Sequence, residues 1–111
     1  MIIPLIEQKR AEIEALCRKY HVRTLEVFGS AARGGFDTER SDLDFLVEYE
    51  DDGPPGGLFQ GHFGFQLDLE ALFGRAVDLV EPAAIRNSYF LRSVNQHRQV
   101  VYESGRAQVP V

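Results

Sequence analysis

The chain has one cysteine, Cys17, so no internal disulfide can form. No apolar run approaches the roughly 18 residues that a membrane span needs, and the opening MIIPLIEQKR turns charged too soon for a signal peptide. A cytoplasmic protein is the expectation. Basic residues are in deficit: 12 Lys and Arg stand against 17 Asp and Glu, a formal net charge of -5. That excludes a protein that grips a long nucleic-acid backbone non-specifically, which needs clustered cations. Internal repeats are absent. With 111 residues there is room for one core, so a single domain over 1–111 is expected. An apolar fraction of 44% suits a packed fold rather than a disordered chain.

The pattern along the chain alternates helices and strands. PLIEQKRAEIEALCRK, 4–19, places Leu5, Ile6, Ile13, Leu16, Cys17 and Tyr20 near one helical face, with Pro4 suited to the first turn. Cys17 on that face reads as a small buried hydrophobe. TLEVF (24–28), LDFLVEY (43–49), AVDLV (76–80) and QVVYE (99–103) read as strands. Five Gly and two Pro in EDDGPPGGLFQGHFG, 50–64, predict a loop carrying Leu58, Phe59 and Phe63. Phe65, Leu69, Leu72 and Phe73 then mark a helix that Gly74 caps. A third helix follows Pro82 and runs to about Gln96; the tail 104–111 has no pattern and is expected to fray. This order predicts an α/β (α+β) domain with helices around a mixed sheet.

Acidic residues in the strands carry the chemistry. Side chains alternate along a strand, so Leu43, Phe45 and Val47 share one face while Asp42, Asp44 and Leu46 share the other. The two aspartates repel one another unless something positive lies between them, and hard oxygen ligands suit a Mg²⁺-type ion. Read alone, the pair is equally compatible with a metal site and with a solvated strand face. Asp78, inside AVDLV, faces away from Val77 and Leu79, and a charge within a short apolar strand is costly without a partner. At the end of the first strand, Gly29 permits close approach of a phosphate and Ser30 with nearby N–H groups can donate to it. Ser30 as a plain helix cap is the competing reading. Arg33 fits a phosphate contact or a solvated surface equally. His21 and His97, near helix ends, read as satisfied surface histidines, His62 falls in the Gly-rich loop, and Tyr49, Tyr89 and Tyr102 read as packing residues.

"GSAARG", "SDLDFLV" and "VDLV", in this order, resemble the DNA polymerase β-like nucleotidyltransferase superfamily. The chain is more closely similar to the minimal nucleotidyltransferases (MNT), the antitoxin half of HEPN–MNT toxin–antitoxin pairs, over nearly its whole length. Eleven residues, Ala31 to Ser41, separate the serine from the first aspartate, one more than in some members. The extra residue falls in GGFDTERS, where length varies at little cost. The resemblance implies the polymerase β-like fold, with Gly29 and Ser30 as the phosphate-binding pair and Asp42, Asp44 and Asp78 as the metal-binding acids. It implies ATP as substrate, two Mg²⁺ ions, a HEPN ribonuclease toxin as partner in a hetero-oligomer, and transfer of AMP to a tyrosine of that toxin. The competing functional reading is an antitoxin that neutralises its partner by steric cover alone. Transfer to an RNA end is disfavoured by the acidic charge and by the lack of room for a second domain.

Overall fold

A computed structural model describes residues 2–34, 37 and 41–104, the side chains of Arg33 and Leu58 excepted. Two short helices open the fold, α1 (Pro4–Gln8) and α2 (Arg10–Lys19). They replace the single helix expected over 4–19. The break falls at Lys9, with φ −106° and ψ 12°, where the sequence has neither Gly nor Pro. Tertiary contact sets it: Arg10, the first residue of α2, donates to the Val101 carbonyl at 2.7 Å. Ile6, Ile13 and Cys17 still face the core together.

Strand β1 (Val22–Phe28) leads through the four-residue helix α3 (Ser30–Arg33) and on to β2 (Leu43–Tyr49). Helix α4 (Gly57–Phe73) connects β2 to β3 (Val77–Val80). A 3₁₀ turn, Pro82–Ala84, then precedes α5 (Ser88–His97) and β4 (Gln99–Glu103). The sheet order is β3-β2-β1-β4. β1 is antiparallel to both β2 and β4, and β2 is parallel to β3, so the sheet is mixed, as the sequence predicts. The parallel pair needs a long crossover, which α4 supplies.

The expected loop over 50–64 is wrong in its second half, because α4 begins at Gly57 and runs through Gly61 and Gly64. These glycines serve close packing. A Cβ on Gly61 would lie 2.6 Å from Pro54 Cβ and 2.6 Å from the Pro55 carbonyl oxygen, and one on Gly64 would lie 3.2 Å from the Tyr20 hydroxyl. Gly74 ends α4 as expected, its N–H bonded to the Glu70 carbonyl at 2.8 Å. The third predicted helix starts later than Pro82, at Ser88, where the Asn87 side chain accepts from the Tyr89 and Phe90 amides.

Burial divides the sheet into two faces. On one, α1, α2 and α4 pack Ile6, Ile13, Phe65 and Leu69 against Leu25, Val27, Leu43, Phe45, Val47, Val77 and Leu79. On the other, a smaller cluster joins Phe28, Leu46 and Val94, with Val80 and Ile85 packed beside it. That second face is only partly covered by α5, and the uncovered part holds the polar chemistry. Among the described residues no helix is long and apolar enough to cross a membrane.

Candidate active site

Strand pairing fixes the acid positions. Leu43, Phe45 and Val47 are buried in the large core, which turns Asp44 to the opposite face. Val77 and Leu79 are buried there too, turning Asp78 the same way. In the parallel β2–β3 register Asp44 stands directly beside Asp78. Neighbouring strands lie about 4.8 Å apart, so two carboxylates project side by side from one sheet face. Phe28, the last residue of β1, pairs with Asp44 from the other side.

After Phe28 the chain turns sharply at Gly29, with φ 71° and ψ −149°, a region that essentially only glycine occupies. A second constraint acts at the same atom. A Cβ there would lie 2.3 Å from Asp44 Oδ2, so the carboxylate occupies the space a side chain would fill. Gly29 holds the cap position of α3, which makes Ser30 its first residue; no side-chain cap bond is formed, and the reading of Ser30 as a cap does not hold.

These residues share one open cavity of about 420 Å³. Asp44 and Asp78 line it from the sheet, Asp42 from just before β2, and Gly29, Ser30 and Ser41 from the connecting segments. The third wall is α5, through Phe90, Ser93, Val94 and His97. Of the six residues singled out in the sequence, five therefore meet in one cavity. The sixth, Arg33, has its side chain outside the described residues, as do most of GGFDTERS and the tail beyond Ser104. The start of the Asp42–Asp44 segment is held by Arg75, whose guanidinium donates to the Ser41 carbonyl at 3.1 Å.

The donor set suits a hard divalent cation, since carboxylates and hydroxyls offer only oxygen. The absence of a side chain at Gly29 leaves room for the Asp44 carboxylate, which a Cβ there would meet at 2.3 Å. Among the described residues, however, no three Asp, Glu, His or Cys side chains are already drawn into a ligating cluster.

The α5 wall was missed in the sequence. His97 and Phe90 stand seven residues apart, with Ser93 and Val94 between them, on one helical face. Three other readings change. Tyr89 is 79% exposed rather than a packing residue. His62 belongs to α4, where it links Tyr49 to the Leu79 carbonyl, at 2.8 and 3.0 Å. Burial holds the Tyr49 phenol well above its usual range. Phe59 and Phe63, expected on a loop, stand with Leu67 as an exposed apolar row along α4.

The mixed sheet, the glycine turn and the row of carboxylates define a nucleotidyl-transferring class of fold. The nucleotidyltransferase domain family matches residues 10–101. A Methanocaldococcus jannaschii protein named "Putative protein adenylyltransferase MJ1379" is 36% identical over 78 residues, covering 70% of this chain and 75% of its own. The solved structure of a "putative minimal nucleotidyltransferase" superposes with a TM-score of 0.67 at 31% identity, covering 89% of this chain and 95% of that one. The chain belongs to the nucleotidyltransferase domain family, in its minimal nucleotidyltransferase branch. A Shewanella oneidensis complex described as a tri-AMPylated HEPN toxin with its MNT antitoxin shares the fold, with a TM-score of 0.59 at 15% identity, covering 93% of this chain and 76% of that one.

Proposed function

We propose that this nucleotidyltransferase is the antitoxin of a HEPN–MNT pair and transfers AMP from ATP to a tyrosine hydroxyl of a HEPN ribonuclease toxin. The observation that carries the reading is the register of Asp44 beside Asp78 over the Gly29–Ser30 turn, within one cavity. The name of the archaeal relative and the fold shared with an antitoxin bound to an AMPylated HEPN toxin support it.

In this reading Ser30 and the adjacent backbone N–H groups hold the outgoing phosphates, and Gly29 lets them approach the main chain. Asp42, Asp44 and Asp78 are the residues that would hold two Mg²⁺ ions. When bound, those ions neutralise the triphosphate and stabilise charge in the displacement. Asp78 accepts the phenolic proton of the acceptor. The tyrosine oxygen bonds to the α-phosphorus, the bond from that phosphorus to the bridging oxygen breaks, and pyrophosphate leaves. Arg33 is assigned to the phosphates as well, on its position three residues after Ser30.

The test is intact-protein mass spectrometry of the HEPN partner after incubation with ATP and Mg²⁺. A tyrosine should gain one or more adenylyl groups with the wild-type protein and none with the Asp42→Asn/Asp44→Asn double variant. A partner that gains no mass, yet is inhibited equally by both proteins, would establish the steric-cover reading instead.

A further inference from the structure

We infer that Phe90 is the stacking platform for the base of the nucleotide, an inference that rests on the nucleotidyl-transfer reading of the cavity. A nucleoside triphosphate brings two unlike surfaces into one site. Its phosphates suit the glycine turn and the carboxylate wall, but its base needs a flat apolar face. The polar side chains that reach the cavity from the turns and the sheet are hydroxyls and carboxylates, from Ser30, Ser41, Asp42, Asp44 and Asp78. Of the apolar lining residues, Phe28 and Val94 are 6% and 3% exposed and belong to the small core cluster, and Val80, an aliphatic side chain with no flat face, packs against it. Phe90 differs, since it lines the same cavity and is 43% exposed.

Phe90 is also held in place. Its ring meets that of Phe28 edge-on, with centroids 6.0 Å apart and planes at 78°. An edge contact leaves at least one face of the Phe90 ring uncovered by Phe28. Its backbone is fixed at the start of α5, where the Asn87 side chain accepts from its amide at 3.1 Å. The residue that supports the ring, Phe28, immediately precedes Gly29. The platform is thereby built onto the same turn that would receive the triphosphate, and a base tethered to that triphosphate has it within reach. Aromatic stacking is tolerant of base identity, because every base has a π face. Phe90 therefore supplies affinity for the nucleoside and little choice between purines.

The test compares binding of ATP with binding of inorganic tripolyphosphate, each with Mg²⁺, by calorimetry in the absence of any acceptor. Phe90→Ala should weaken ATP binding by about fivefold or more while leaving tripolyphosphate binding unchanged. Phe90→Tyr should bind ATP like the wild type. Phe90→Leu, which keeps apolar bulk against Phe28 without a π face, should fall between them and guards against misfolding of the alanine variant. Unchanged ATP affinity in both Phe90→Ala and Phe90→Leu overturns the inference, including the case where only transfer to the acceptor suffers, which would assign the ring to the acceptor. Equal loss of ATP and tripolyphosphate overturns it too, since the ring would then merely hold the site together. A wild-type protein that binds tripolyphosphate as tightly as ATP also refutes it, while one that binds neither refutes the nucleotidyl-transfer reading itself.

Discussion

Replacing Gly29 by alanine separates backbone strain from site chemistry. The native φ of 71° and ψ of −149° cost a non-glycine residue about 1–3 kcal/mol. The added methyl would also stand 2.3 Å from Asp44 Oδ2 and 3.2 Å from its Cγ. The first contact is untenable, but it meets the end of a side chain that can rotate. The carboxylate should therefore swing away, and most of its cost should appear in catalysis rather than in stability. For a domain of about 100 residues, each kcal/mol lowers the melting temperature by about 4–8 °C. Gly29→Ala should melt lower by that increment or up to about three times it, with nucleotidyl transfer reduced as severely as in Asp44→Asn. A double-mutant cycle with Asp44→Ala apportions the two effects, since the strain persists when the carboxylate is gone. A Gly29→Ala protein with wild-type melting and wild-type transfer would refute the argument. A stability cost that vanishes completely in the Asp44→Ala background would show that the contact, and not the backbone, sets it.

Asp44→Asn should abolish transfer while the metal-free melting temperature holds or rises, because one of three neighbouring negative charges is removed; a clear fall in metal-free stability would mark the residue as structural. Ser30→Ala removes one donor among several and should reduce transfer by about 1–3 kcal/mol of barrier, less than loss of either aspartate; equal damage in kinetic assays would contradict this. Gly61→Ala should destabilise by about 1–3 kcal/mol in urea titrations, since its methyl would meet Pro54 and the Pro55 carbonyl at 2.6 Å, and it should leave nucleotide affinity intact. Asp68 accepts from the Tyr20 hydroxyl, which with Lys19 nearby holds its carboxyl below the ordinary value of 3.8. A depressed carboxyl stabilises the fold fully above that ordinary value and loses its contribution as pH falls through the folded one. Asp68→Asn should remove this part of the acid dependence, at most about 1 kcal/mol for so exposed a pair, while leaving the acid limb of the remaining carboxylates.

The sequence was most misleading at α4. Gly and Pro punctuate loops by default, and EDDGPPGGLFQGHFG is dense in both. Gly53, Pro54, Pro55 and Gly56 do form a turn, but Gly61 and Gly64 lie within the helix. Their requirement is tertiary. Pro54 folds back onto Gly61, where a Cβ would meet it at 2.6 Å, and Tyr20, just past α2, stands 3.2 Å from where a Cβ on Gly64 would lie. Neither contact leaves a trace in local spacing. The same is true of the break at Lys9, which answers to Arg10 reaching β4.

The two sides of the cavity differ in legibility for a related reason. On a strand, alternation alone assigns a face, so buried Val77 and Leu79 are enough to turn Asp78 outward, and Leu43 and Phe45 do the same for Asp44. One further fact, that β2 and β3 are neighbours, brings the two acids together, and that pairing came from the structure and not from the strands' own residues. A helix face carries no such assignment. Phe90, Ser93, Val94 and His97 have the spacing of any face turned toward any core, and only Val94 is buried in one. What makes the other three part of a site is the open cavity they share with the acids on the sheet opposite them. Asp44 and Asp78 define the chemistry from within their own strands. The helix gains its role only once the fold has placed it across from them.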